Sequence, residues 1–428
     1  MAKKKLVKKE DEPMITSGMK QHLKYLVELS LLSKLAIVIF TVFIIGAGMD
    51  MYAISYYLEN ALTLFQGSHI LYVDYYYEYP ILLFVPVLIA LVPYFVLNSI
   101  SAAMLMFSIL MVICDTVTVM CVYLIARKIW NNPRTAFIAA CIYMTALAVQ
   151  YFAMIDCSSF AVMIMMGAIT ILLYGKEITG ISWMTDYMAL ILGYFAKFFP
   201  LLILPFVLFY KSKTTSLKYE IVSALKVMIP VSILLILPTF IFNPWATIKT
   251  YLPIRLDVGW FPNTIIYTLQ VWLHDIFNLP VTLDHTFMFV YACMIISILA
   301  LVYAAFTYKK QDPMMLLKFI LCALTIIVLS YKARSPGYIM WFLPFACILV
   351  ADNVYKIGWF YVTQILTYMV FPLGFWTLWT NAKWTNPIYS GNWYLALILL
   401  SIESLSLLIL MWIATEPIKM YKEIFSDD

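Results

Sequence analysis

Long apolar runs alternate with short polar connections along most of this chain, from Leu35 to Met411. A helix needs ~20 residues to cross a bilayer, and helices are the spanning elements that fit this pattern. A membrane β-barrel would show alternating segments of ~10 residues instead. The apolar runs predict spans at 33–48, 102–126, 135–155, 158–174, 220–242, 283–308, 315–331, 338–352, 355–377 and 393–413. The pattern therefore predicts an all-α polytopic membrane protein.

Two further apolar runs are interrupted by prolines. The run 81–97 contains two of them, and we expect it not to cross the membrane fully, because proline removes a helical hydrogen bond. The run 184–210 is expected to rise to Lys197 and to return after Pro200. With this rise and return included, the sequence predicts about twelve crossings, some of them through broken or re-entrant helices.

Lysine and arginine collect in alternate connections between the runs. These basic residues are Arg127, Lys128, Arg134, Lys176, Lys211, Lys213, Lys218, Lys309, Lys310, Lys356, Lys419 and Lys422. By the positive-inside rule those connections are cytoplasmic, as are the basic tail 1–32 and the tail 416–428. The loops 49–80 and 243–282 then face outward, and 33–415 forms a single transmembrane domain.

The start of the chain, MAKKKLVKKEDEP, is basic and has no small-residue cleavage site after a short hydrophobic core, so we expect it to remain as a cytoplasmic tail. A multi-pass integral membrane protein of this kind would lie in the plasma membrane of a prokaryote or in the endoplasmic reticulum of a eukaryote.

Composition agrees with a membrane protein, because 64% of the 428 residues are hydrophobic and 12% are charged. Soluble domains are about 45–50% apolar and about 25% charged. The net charge of +5 is mostly cytoplasmic lysine, which attracts anionic lipid headgroups and needs no nucleic-acid partner.

Several common catalytic signatures are missing from the sequence. The seven cysteines show no C-x-x-C pair and mostly lie in apolar runs, which is typical of packing residues, and the four histidines have no metal-ligand spacing. No P-loop, G-x-G-x-x-G or G-x-S-x-G pattern occurs. We expect no certain cofactor, and a divalent metal stays open without support from ligand spacing.

The first outer loop is acidic and rich in tyrosine. Asp50 directly follows the first span and precedes a segment, residues 51–65, with the apolar spacing of a short amphipathic helix that Gly67 would end. Asp50 is either a helix cap or a functional carboxylate. Asp74 and Glu78 are either solvated or functional, and the tyrosines around them are typical of an interfacial aromatic belt.

Cations accompany helix breaks in two later segments, AKFFPLLILP with Lys197 and SYKARSPGYIMWFLPF with Lys332 and Arg334. Charge inside a membrane is costly without a partner, so these residues predict an anion site near the outer leaflet, which an anionic lipid headgroup would satisfy. The alternative is that the side chains extend to the interface.

Five stretches in this order, GMDMYAISYYLENA, YVDYYYEYPIL, CDTVTVMCVYLIARK, KFFPLLILP and SPGYIMWFLPF, resemble the C-type superfamily of integral membrane glycosyltransferases. The resemblance covers about residues 33–350, and each motif is short and degenerate. Within the superfamily the chain is most similar to polyprenol-phosphate-mannose-dependent mannosyltransferases, including the catalytic subunits that put the first mannose on glycosylphosphatidylinositol. The resemblance implies the C-type glycosyltransferase fold.

The resemblance also implies transfer of a sugar from a polyprenyl (dolichyl) phosphate to a glycolipid or glycan acceptor at the outer face, with Asp50 as the catalytic base. Many relatives carry D-x-D there, whereas this chain has Asp50-Met51-Tyr52, so a second carboxylate role is in doubt and falls to Glu78 or Asp74. In the last motif the family has glutamine or a similar residue where this chain has Gly337.

The chemistry fits these residues, because a phosphate leaving group needs no acid and one base with a cationic phosphate site suffices. Lys332 and Arg334, with Lys197 as the weaker candidate, would stabilise the departing phosphate, and a single displacement would invert the anomeric configuration. The candidate substrate contacts are Tyr79, Arg255 and Tyr338. A small accessory membrane subunit is a further candidate partner.

Two other function classes remain open. A transporter or flippase of an anionic lipid or lipid-linked sugar also uses broken helices and embedded cations. A non-catalytic scaffold subunit would leave Asp50 replaceable.

The remaining membrane-embedded carboxylates have structural explanations. We expect Asp115 to form interhelical hydrogen bonds, and Asp156 to cap the next helix through DCSS, although it could also reach the site. Arg255 either pairs with Asp257 or contacts the acceptor.

Overall fold

Every regular element in the described part of the chain is a helix. The computed structural model describes residues 16–43, 52–67, 79–179, 184–251, 264–331, 336–370 and 393–425. The α-helices are α1 (Ser17–Phe43), α2 (Tyr52–Phe65), α3 (Phe84–Leu97), α4 (Ile100–Trp130), α5 (Pro133–Thr145), α6 (Leu147–Phe152), α7 (Ser158–Thr179), α8 (Thr185–Ala196), α9 (Leu204–Ser212), α10 (Leu217–Phe242), α11 (Pro244–Tyr251), α12 (Ile265–Val271), α13 (Leu283–Thr307), α14 (Pro313–Ser330), α15 (Leu343–Val350), α16 (Val354–Tyr368), α17 (Trp393–Thr415) and α18 (Pro417–Phe425). Short 3-10 helices lie at Ile81–Leu83, Phe199–Ile203 and Pro336–Trp341, and a π-helical turn lies at Trp272–Ile276.

The helix α4 lies at the centre of the bundle and packs against α1, α3, α5 and α7. Its start is fixed by Ser99, whose hydroxyl accepts a hydrogen bond from the backbone N–H of Ala102 at 3.3 Å. Its end is fixed by Asn131, which adopts a left-handed conformation with φ 47°. The long apolar sequence between these caps explains why α4 forms the core.

Among the described helices, six are long and apolar enough to cross a membrane. They are α4, the first part of α7 (Ser158–Gly175), α10, α13, α14 and the part of α17 from Leu397 to Thr415. Most side chains of α14 are buried, whereas α10 and α13 expose large apolar side chains on most of their surface. Such exposure agrees with an all-α membrane protein, because lipid replaces water around the outer helices.

The predicted span 135–155 is wrong as a single helix. The chain breaks at Ala146, whose backbone is extended, and continues as the short helix α6. The break is stabilised by Gln150, whose side-chain amide donates to the backbone carbonyl of Met144. A glutamine side chain thus replaces a backbone donor that a continuous helix would have supplied.

The predicted span 338–352 is also not one helix, since the 3-10 helix Pro336–Trp341 precedes the eight-residue α15. An α-helix of this length covers only about 12 Å, less than half the hydrocarbon thickness. At the other end of the chain, α1 begins at Ser17, well before the predicted start at residue 33.

Two other expectations are confirmed. The helix break near Lys197 is present, because α8 ends at Ala196, Lys197 has extended backbone, and a 3-10 helix follows. Gly193 allows this turn, since a Cβ there would lie 2.8 Å from the Cβ of Pro200. The helix α2 is amphipathic, with Leu58 buried and Glu59 exposed.

A buried polar bridge joins α1, α4 and α5. The ammonium of Lys34 pairs with Asp115 and donates to the hydroxyl of Ser30 at 3.0 Å, and the hydroxyl of Tyr143 donates to Asp115 at 2.7 Å. The expected interhelical hydrogen bonding of Asp115 is confirmed. Lys34 is fully buried. The sequence pattern placed it at the start of the first predicted span and did not predict its partner.

Replacing Asp115 by Asn should lower the free energy of unfolding by about 3 kcal/mol, because it leaves the ammonium of Lys34 buried without a countercharge. The double variant Lys34→Met, Asp115→Asn should recover part of this loss. Denaturation in detergent micelles, followed by circular dichroism, measures both. Lys24→Gln is the control, since Lys24 forms only an exposed pair with Glu28 at 3.8 Å. Wild-type stability of Asp115→Asn would contradict the bridge's role.

Candidate functional site

A cavity of about 320 Å³ lies where the 3-10 helices Phe199–Ile203 and Pro336–Trp341 meet α13 and α14. Its walls are almost entirely apolar or aromatic, and Lys197 is the one charged residue among them in the described part of the chain. The cavity residues are Tyr79, Lys197, Phe198, Phe199, Leu202, Tyr291, Met294, Ile295, Ile298, Leu299, Ile327, Tyr331, Tyr338 and Trp341. An apolar chamber with a single ammonium fits an amphiphile with an anionic end.

The ammonium of Lys197 is fixed by the start of α7. It forms an ion pair with Asp156 at 2.9 Å and donates to the hydroxyl of Ser158 at 2.7 Å. The side chains of Lys197 and Asp156 are 5% and 12% exposed, so the pair is enclosed by protein. Lysine has three N–H donors, and these two bonds occupy two of them.

The break at Lys197 explains why its side chain reaches α7. Extended backbone at this position separates α8 from the following 3-10 helix, so Lys197 leaves the helical register. At the other side of the pair, Asp156 caps α7, because its Oδ1 accepts from the backbone N–H of Ser158 at 2.7 Å. The predicted capping role of Asp156 is confirmed, and the same carboxylate also holds the lysine.

Aromatic rings enclose the ammonium. Lys197 Nζ lies 5.1 Å from the ring centroid of Tyr338 and 5.9 Å from that of Tyr79. Trp341 stacks on Tyr338 with centroids 4.2 Å apart and on Phe199 with centroids 4.4 Å apart. These rings stabilise the cation electrostatically and hold the two 3-10 helices together.

Gly337 lies directly against the carboxylate of Asp156. A Cβ at residue 337 would overlap Oδ2 of Asp156 and would lie 3.3 Å from its Cγ. A larger residue at this position would therefore push the Asp156 carboxylate out of its present position. The absence of a side chain at residue 337 thus has a local physical reason.

A chain of polar contacts links the cavity to α2. The hydroxyl of Tyr57 donates to that of Tyr79 at 3.4 Å and accepts from the thiol of Cys157 at 3.3 Å. Tyr57 is buried on α2 and its ring packs against Phe107 of α4. The amphipathic helix is therefore attached both to the core and to a wall of the cavity.

The structure brings three of the predicted site residues together, namely Lys197, Tyr79 and Tyr338, which all line the cavity. The others lie outside the described residues. They are the proposed base Asp50, the carboxylates Asp74 and Glu78, and the residues Arg255, Asp257, Lys332 and Arg334. Lys197, which the sequence ranked below Lys332 and Arg334, is the cation that the described geometry places in the cavity.

Sequence reasoning gave no role to Ser158 or Trp341, and for Asp156 it favoured the cap over the site, whereas the carboxylate both caps α7 and pairs with Lys197. The sequence did contain an indication of the ion pair, because a lone lysine and a lone aspartate in apolar surroundings are expected to pair. What the sequence lacked was the distance between them, since 41 residues separate the two. Within the described ranges, no group of three or more His, Cys, Asp or Glu side chains is placed to hold a metal.

Replacing Gly337 by Ala should lower the free energy of unfolding by about 1–3 kcal/mol, because the added methyl overlaps the Asp156 carboxylate. Gly358→Ala is the matched control, since a Cβ there meets nothing within 4 Å. Thermal unfolding in detergent compares the two. Equal stability of Gly337→Ala and Gly358→Ala would show that Asp156 is not held where the structure places it.

Comparison with known proteins gives no match. No protein-family model, no curated protein and no solved structure matches this chain. The likeness to C-type glycosyltransferases therefore remains an expectation from short sequence motifs, and the cavity around Lys197 is the physical observation from which function can be inferred.

Proposed function

We propose that this chain is a membrane hexosyltransferase that uses a polyprenyl (dolichyl) phosphate-linked sugar, with mannose as the first candidate, and a glycolipid or glycan acceptor. The observation that carries the proposal is the cavity of about 320 Å³, in which apolar walls surround the ammonium of Lys197. A polyprenyl phosphate has the same division, because its isoprenoid chain is apolar and its single phosphate is anionic.

The walls of the cavity suit the isoprenoid part of such a donor. Apolar side chains of α13 and α14, among them Ile295, Ile298 and Ile327, form one side. In water, burial of hydrocarbon against such residues is favourable by about 25 cal/mol per Å². In a membrane, where lipid tails already surround the hydrocarbon, close packing stabilises binding instead. Phosphate binding would use the remaining N–H of Lys197, together with Lys332 and Arg334 from the adjoining segment.

The reaction would be a single displacement. An acceptor hydroxyl attacks the anomeric carbon, the bond from that carbon to the phosphate oxygen breaks, and the oxygen keeps the electron pair. Asp50 takes the proton of the hydroxyl as general base, and the cations stabilise the phosphate. Asp156 is poorly suited to be this base, since its Oδ1 already accepts from Lys197 and from the backbone of Ser158.

The topology belongs to the same proposal. About twelve crossings in a C-type glycosyltransferase arrangement, with both termini cytoplasmic, would place α2 and the cavity toward the outer face. The link from Tyr57 to Tyr79 supports this placement, because it joins the helix that follows Asp50 to the cavity wall.

A transporter or flippase of an anionic lipid is the second candidate. It is favoured by one observation, which is that the buried pair of Lys197 and Asp156 lies at a helix break. It requires binding of the lipid without transfer of the sugar.

Transfer of radiolabelled mannose from polyprenyl-phosphate mannose, in membranes with matched expression, tests the proposal. Asp50→Asn should lower the rate by about 10²–10⁴-fold, because the base is lost. Lys197→Gln should lower it by about 10²–10³-fold, because a donor to the developing phosphate charge is lost. The control is Lys211→Gln, since Lys211 also pairs with a buried carboxylate, Asp186 at 2.9 Å, but does not line the cavity.

Equal activity of wild type and Asp50→Asn would move the base to Glu78 or Asp74. An unchanged rate for Lys197→Gln would remove the cavity from the mechanism. Retention of anomeric configuration in the product would exclude the single displacement. Lipid movement without sugar transfer would favour the transporter.

A further inference from the structure

The ammonium of Lys197 lines the cavity and is paired with the carboxylate of Asp156 behind it, so the two groups together have zero net charge. We propose that Asp156 lowers the preference of this site for a doubly charged phosphomonoester over a singly charged phosphodiester, compared with the same site without the carboxylate. This inference rests on the proposed function, since the phosphodiester is the sugar donor and the phosphomonoester is the lipid product.

The geometry ties any phosphate on Lys197 to Asp156 as well. Oδ1 of Asp156 is 2.9 Å from Nζ of Lys197, and neither side chain is more than 12% exposed. Oδ1 of Asp156 also accepts from the backbone N–H of Ser158 at 2.7 Å, so the carboxylate is held beside the ammonium from two sides. A phosphate that accepts from Lys197 must therefore lie near the negative charge of Asp156.

The two lipid species differ in charge. The donor is a phosphodiester with one negative charge. After transfer the phosphate oxygen holds the electron pair of the broken bond, and the lipid is a phosphomonoester with a charge of about −1.5 to −2 near neutral pH. Repulsion by Asp156 is proportional to the charge of the ligand, so it is about twice as strong for the product. Asp156 would thus weaken binding of the spent lipid more than binding of the donor, which favours release of the product.

The test is direct binding, which needs no acceptor and no turnover. The dissociation constants of methyl geranyl phosphate, a phosphodiester, and of geranyl phosphate, a phosphomonoester, are measured by calorimetry on the full chain in detergent at about pH 8, where the monoester is a dianion. Asp156→Asn should lower the dissociation constant of the phosphodiester by about fivefold and that of the phosphomonoester by about twentyfold. The logarithm of the fold-change for the phosphomonoester should be about twice that for the phosphodiester, because the repulsion that is removed is proportional to the charge of the ligand.

Two controls isolate the charge of Asp156. Asp156→Glu keeps the charge and should keep the wild-type ratio of the two constants. Asp186→Asn removes a buried carboxylate paired with Lys211 and should change neither constant, because its partner Lys211, unlike Lys197, does not line the cavity. If Asp156→Asn does not fold, Gly337→Ala takes its place, since displacement of the carboxylate should change both constants in the same direction by less.

An equal change for both ligands, or no change in either, would overturn the charge-selectivity inference while leaving the transferase proposal in place. Failure of the wild type to bind either ligand would overturn both, because the cavity would then not be a lipid phosphate site.

Discussion

A carboxylate stabilises an ammonium group enclosed by apolar helices, and pairs of this kind join several helices of the described structure. The strongest case is Lys197, which lies at a helix break and reaches Asp156 at the start of α7. The position of this pair determines which end of the cavity is polar. It also decides the local backbone, because the extended conformation at Lys197 and the glycine at residue 337 are both needed for the two side chains to meet.

Two further pairs of this kind join helices of the bundle. Lys34 pairs with Asp115 between α1 and α4, and Lys211 lies 2.9 Å from Asp186 and 3.5 Å from Glu220, joining α9 to α8 and α10. Hydrophobic attraction between helices is weak in a membrane, because lipid tails are as apolar as the side chains. Specific polar contacts then contribute more to which helices become neighbours. Of these three pairs, the one that includes Lys197 is at the cavity, which separates a candidate site from structural bridges.

The sequence predicted the helical class, the amphipathic α2 and the break at Lys197, because each depends on residues close together in the chain. It failed at two spans, once through a local side-chain hydrogen bond and once through a contact between residues far apart in sequence. The span 135–155 looked continuous, yet Gln150 stabilises a break that hydropathy does not register. The run 338–352 looked like one helix, although its 3-10 start is held by ring stacking with Phe199, a residue far away in sequence.

The sequence predicted the type of candidate site but not all of the residues that form it. A cationic residue at a broken apolar helix indicated an anion site, and the structure adds the carboxylate that pairs with this cation. That addition changes the chemistry of the site. A lone lysine would bind a phosphate ligand more tightly as the negative charge of the ligand increased, whereas a neutral pair distinguishes much less between singly and doubly charged ligands. An enzyme that consumes a phosphodiester and leaves a phosphomonoester would otherwise hold its product more tightly than its substrate. The buried aspartate is therefore as much a part of the site as the lysine that it fixes.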